Sequence, residues 1–114
     1  MIVTTVLEAV WQIMQDEDDP HEFYPEKKLI KWVNEAVDQI RQRRPDSLIS
    51  EDGLTIELIT PVAEGADTIS IADRWFSAIV EWVVFRTFQT DAEDEGDQKQ
   101  AASHQNNYEN YILR

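Results

Sequence analysis

Ala72-Asp73-Arg74-Trp75-Phe76-Ser77-Ala78-Ile79-Val80-Glu81-Trp82-Val83-Val84-Phe85-Arg86-Thr87-Phe88-Gln89-Thr90 is the stretch whose reading decides the fold. Its apolar residues Trp75, Phe76, Ile79, Val80, Trp82, Val83, Val84, Phe85 and Phe88 occupy nearly every side of a helix instead of one stripe. The segment is too long for a single strand, and valine is only mildly unfavourable in a helix. A helix that is apolar all round must be covered all round. The remainder of the chain is therefore expected to wrap this segment in further helices.

Upstream, Pro25 suits the first turn of a helix whose apolar positions Leu29, Ile30, Val33, Ala36, Val37 and Ile40 recur at three and four. Glu26 stands early and Arg41, Arg43 and Arg44 late, as the helix dipole favours, and Pro45 stops it. The N-terminal segment repeats the pattern with Val3, Val6, Leu7, Val10, Trp11, Ile13 and Met14, ending near Gln15 before Asp16-Glu17-Asp18-Asp19-Pro20. Thr5 and Glu8 have the spacing of a capping box at its start.

Downstream, a last helix is expected over roughly Gln98 to Leu113, with Ala101, Tyr108, Tyr111 and Ile112 on one side. Glu93-Asp94-Glu95-Gly96-Asp97 fits either its first turn or a loop. Between the second and third helices, Leu54, Ile56 and Leu58 alternate with Thr55, Glu57 and Ile59 after the Asp52-Gly53 turn signal. The fold class expected is thus mainly α, a small four-helix bundle with a short β-hairpin or extended loop between helices two and three. All 114 residues are expected to form one domain, since the length leaves no room for a second core.

The charge pattern narrows the function classes. There are 23 acidic against 10 basic residues, a net of −13, which disfavours binding to phosphate backbones or anionic lipid. Residues 25–46 are the only net-basic segment, with six bases and four acids. Residues 1–24 and 47–71 carry six and five acids and no base. A subunit that repeats itself can set that basic helix against an acidic neighbour. The longest strongly apolar run, Trp82 to Phe85, is closed by Glu81 and Arg86, and no basic region precedes the N-terminal apolar residues, so neither a membrane span nor an export signal is expected.

No chemistry-bearing constellation stands out. The chain has no cysteine, which removes disulfides, thiolate metal sites and thiol nucleophiles. Its three glycines, Gly53, Gly65 and Gly96, are too far apart for a phosphate loop. His21 and His104 lack partners at helical metal spacing, and His104, between Ala101 and Tyr108, reads as a histidine hydrogen-bonded at the edge of the core. Asp91, Glu93 and Glu95 alternate as in a calcium loop, but the twelfth position is Ala102, where a bidentate carboxylate is needed. The expectation is a protein-binding protein with no catalytic residue, cofactor or metal.

Two stretches carry a family likeness. One runs from Phe23-Tyr24-Pro25 through Leu29-Ile30, Trp32-Val33-Asn34-Glu35-Ala36 and Ile40 to Arg44-Pro45-Asp46; the other from Ala78 to Phe85-Arg86, then Asp91-Ala92-Glu93 and Tyr108. Together, about half the chain resembles the head-to-tail adaptor, or connector, proteins of tailed bacteriophages. The resemblance implies a structural virion protein of the neck region, present in the host cytoplasm during assembly. It implies a homo-oligomeric ring, usually dodecameric, between the portal protein and a downstream tail or nozzle protein. Viral DNA passes through such a ring during packaging and ejection without specific binding. No catalytic residue carries over. Candidate intersubunit or portal contacts are Arg41, Arg43, Arg44, Asp46, Arg86, Tyr108 and Tyr111, although Arg44 and Asp46 at a helix end equally suit a salt bridge or cap, and Arg86 suits the carbonyls ending its own helix. Many similar proteins carry a longer insertion than residues 47–71.

The acidic surplus also fits a different reading, a DNA mimic that occupies the basic groove of a DNA-binding enzyme. Mimicry wants carboxylates in two regular exposed rows. Here they cluster at turns, which favours the connector.

Overall fold

The computed structural model describes residues 1–16, 24–49, 53, 60–90 and 95–113. Four helices account for most of them: α1 (Val3–Met14), α2 (Glu26–Arg43), α3 (Phe76–Thr90) and α4 (Glu95–Leu113). Short 3-10 turns occupy Pro45–Leu48 and Asp73–Trp75. Among the described residues there is no strand, and the expected strand from Leu54 to Ile59, the carboxylates of the calcium-like spacing at Asp91 and Glu93, and His21 lie outside them. The chain is mainly helical, as a small bundle should be.

The helix read as apolar all round does sit in the middle. α3 packs against α4, α2 and α1, and Ile79, Val83 and Val84 are completely buried. Each such side chain contributes about 1.5–3 kcal/mol relative to an exposed one. Thr87 is also buried, and its hydroxyl donates to the Val83 carbonyl at 2.8 Å, so no polar group is stranded there. The wrapping is incomplete at Trp82, Phe76 and Phe88, which are only partly buried.

The covering helices present the expected faces. Val3, Val6, Leu7, Val10 and Trp11 of α1 are buried, while Ile13, also expected inside, is 41% exposed. α2 buries Leu29, Ile30, Val33, Ala36, Val37 and Ile40, together with Trp32. α4 buries Ala101, Tyr108 and Ile112. It begins at Glu95, a turn earlier than the apolar spacing alone suggests. Its first turn lies beyond the apolar repeat, where periodicity has nothing to show.

The capping box does not form. α1 starts at Val3, before Thr5, and its N-cap Ile2 provides no side-chain hydrogen bond. The exposed donors are met from far along the chain: the Val3 N–H donates to the Asp67 carbonyl at 3.0 Å and the Thr4 N–H to that of Gly65 at 2.9 Å. The Thr4 hydroxyl donates to the same Gly65 oxygen at 2.7 Å. An antiparallel bridge between Ile2 and Thr68 and a bond from Ile69 N–H to the Met1 carbonyl hold this loop in place. A Cβ at Gly65 would lie 2.5 Å from Glu26 Oε1 and 2.7 Å from Thr4 Oγ1, so both side chains would have to move to admit one.

At its other end α1 closes in a Schellman turn. Gln15 takes the left-handed conformation at φ 59°, its N–H donates to Gln12, and the Asp16 N–H reaches back to the Trp11 carbonyl. Asp16 Oδ2 then accepts from the Tyr24 N–H at 3.0 Å, and the Trp11 indole N–H donates to the Tyr24 carbonyl at 2.7 Å. These bonds bring the start of the α2 segment back against the end of α1.

Candidate assembly surface

The residues singled out in the sequence fall on two seams. The first joins α2 to α4. Arg43 Nη1 and Nη2 donate to Glu109 Oε1 and Oε2 at 2.9 and 2.7 Å. The Arg43 hydrogen bonds hold the Glu109 carboxyl below its ordinary range, and the carboxylate raises the guanidinium in return. Arg44 forks onto Asp46 in the same manner, at 2.9 and 3.0 Å, and its Nη1 donates to the Ile112 carbonyl at 2.6 Å. Asp46 is lowered by those Arg44 bonds. Arg44 therefore acts both as a salt bridge and as a cap, satisfying a carbonyl that the end of α4 leaves unbonded. Arg41 meets only Asp38, at 3.8 Å on the exposed face of its own helix.

The second seam joins α2 to α3 and centres on Glu35, which the sequence reading did not select as a site residue. Glu35 Oε1 accepts the Trp82 indole N–H at 2.9 Å and lies 2.9 Å from Arg86 Nε. That Arg86 N–H points away from the oxygen, so the contact is an ion pair without a hydrogen bond. Arg86 also bonds the Gln89 side chain and lies over the Trp32 ring, 4.4 Å from its centroid. It does not bind the carbonyls ending its own helix, because Glu35 offers a full negative charge within reach. Lys31 lies over the same indole at 4.8 Å.

Tyr108 completes this seam from α4. Its ring meets Trp82 edge-on at 4.8 Å, and it is fully buried with no partner for its hydroxyl. Burial pushes the phenol up to about 12. Beside it, His104 Nδ1 lies 2.5 Å from Glu81 Oε2 and its ring stacks on Phe88, which is the core-edge role expected of it.

Where α2, α3 and α4 come together at one end, Arg44, Arg74, Trp75, Ser77 and Tyr111 line an open pocket of about 240 Å³. Arg44 and Arg74 both lie over the Trp75 indole, at 5.3 and 5.6 Å from its centroid. Arg74 gives one N–H to the Asp46 carbonyl at 3.0 Å. Of the seven expected contact residues, Arg43, Arg44, Asp46, Arg86 and Tyr108 are thus engaged within the chain, Arg41 is exposed, and Tyr111 helps line the pocket. Arg74 and Ser77 were not selected in the sequence. The available signal was an arginine directly before a tryptophan. No protein-family model, curated protein or solved structure matches the chain.

Proposed function

We propose that this protein is the repeating subunit of a head-to-tail connector ring, seated between a portal and a tail or nozzle protein. One observation carries the reading. Several of the residues on which the family resemblance rests tie the parts of the bundle to one another. Asn34 both donates to and accepts from the Val62 backbone at 2.9 Å. Glu35 joins Trp82 and Arg86, Arg44 joins Asp46 and Ile112, and Tyr108 packs on Trp82. Residues used this way specify how a bundle is put together, so their joint occurrence carries more weight than their short motifs do singly. The net charge of −13 agrees with the role, since a negative lumen repels phosphates and lets a duplex slide.

The test is the mass in solution of the purified chain, alone and mixed with the portal protein of the same genome, by native mass spectrometry. A ring whose mass is a multiple of the 13.3 kDa chain, free or on the portal, is expected. A monomer that ignores the portal and blocks a DNA-binding enzyme would overturn the reading in favour of the DNA mimic.

A further inference from the structure

We propose that the pocket formed by Arg44, Arg74, Trp75, Ser77 and Tyr111 receives an acidic side chain from a second copy of this chain. The inference rests on the self-assembly in the connector reading and adds the contact that makes it.

Size comes first. At about 240 Å³ the pocket is smaller than the roughly 300–1,000 Å³ of sites for drug-sized ligands, so it suits a side chain better than a cofactor. Charge comes next. Arg41, Arg43, Arg44 and Arg86 each meet a carboxylate of their own chain, at Asp38, Glu109, Asp46 and Glu35. Arg74 is the one among the described residues with no carboxylate at ion-pair distance, although its charge reaches the Asp46 carboxylate that Arg44 holds. It spends one donor on the Asp46 carbonyl, which fixes its position and leaves the rest of a planar fork matched to a carboxylate. The Trp75 indole beneath both guanidiniums pre-orders them, and Ser77 and Tyr111 complete the lining.

The occupant follows from the composition. A chain with 23 acids and 10 bases repels phosphate backbones, while every further copy brings surplus carboxylates, among them the exposed Glu8 and Glu64. A pocket filled from a different surface of the next copy is a heterologous contact, the kind that closes into a ring.

Sedimentation of wild type and Arg74→Glu, alone and with portal protein, tests this. The variant is expected to lose about tenfold or more in apparent association constant while its circular dichroism and melting temperature match wild type. Should Arg74→Glu not fold, Arg74→Gln, which keeps a donor for the Asp46 carbonyl, is expected to show the same loss. Photo-crosslinking from benzoylphenylalanine at position 77 should capture an acidic segment of another copy. Equal assembly of variant and wild type overturns the pocket and leaves the connector standing. Crosslinks to portal alone overturn the choice of occupant. A wild-type chain that stays monomeric with and without portal overturns both.

Discussion

Arg43 grips Glu109 through two parallel N–H donors, at 2.9 and 2.7 Å, and so fastens the end of α2 to the C-terminal part of α4. Both side chains are more than a third exposed, which limits what the pair can contribute. Solvent screening holds such pairs to about 1 kcal/mol or less even in good geometry. A double-mutant cycle with Arg43→Met and Glu109→Gln should return a coupling energy of that order. The folded-state pKa of Glu109 is depressed, so this contribution is present above the ordinary carboxylate value of 4.5 and disappears as pH falls through the lowered one. Wild type should therefore lose more stability than the double variant as pH falls from the ordinary carboxylate value through the lowered one. A coupling that does not weaken once pH falls below the lowered value would show that the contact is not ionic.

Glu35 holds two partners from α3, and its removal strands both. Glu35→Ala leaves the Trp82 indole N–H without an acceptor and Arg86 without its ion pair. A loss of about 1–3 kcal/mol is expected in urea unfolding, with a changed tryptophan emission spectrum. An unchanged midpoint would mean water replaces the carboxylate at no cost.

Tyr108 makes the fold sensitive to alkali. Its folded-state value of about 12 lies above the ordinary 10, so the neutral phenol's contribution is complete below pH 10 and is lost as pH rises from 10 to 12. That difference corresponds to roughly 3 kcal/mol. Because the hydroxyl has no partner, Tyr108→Phe should leave stability at pH 7 unchanged or higher and should flatten the alkaline decline. Equal alkaline profiles for the two proteins would refute this account of the phenol.

The tryptophans should separate by burial. Trp75 is 5% exposed, and Trp75→Ala is expected to cost about 3–5 kcal/mol. Trp82 is only partly buried, so Trp82→Ala should cost less in the isolated chain. Thermal melts of the two variants at equal concentration make the comparison.

Gln15 offers a gain instead of a loss. A side chain in the left-handed conformation carries a penalty that glycine escapes, and Gln15 sits at φ 59° in the turn closing α1. Gln15→Gly should stabilise the protein by about 0.5–1 kcal/mol, read as a rise in melting temperature. A fall would mean that the Gln15 side chain contributes more than its backbone costs.

Periodicity alone was enough for the helices that cover a core. The apolar repeats of α1 and α2 mark their buried faces because burial selects those positions directly, and the all-round apolar α3 announces that it lies inside. The start of α4 was harder to see, since Glu95 to Asp97 lie beyond the apolar repeat that marks the helix's inner face. Ile13 satisfied the spacing of α1 and is still 41% exposed.

The connections were settled in three dimensions. A local capping box at Thr5 and Glu8 fits the sequence, yet the loop at residues 64–69 folds over the N-terminus and supplies carbonyls from about 60 positions away. The same holds for the candidate surface. Composition shows that arginines gather at the end of α2, but which of them meets Glu109, Asp46 or Ile112 depends on how the helices pack. A local pattern is fixed by which side chains avoid water and is written residue by residue. The pairing of charges depends on distances of a few ångströms between segments far apart in the chain, and packing sets those distances.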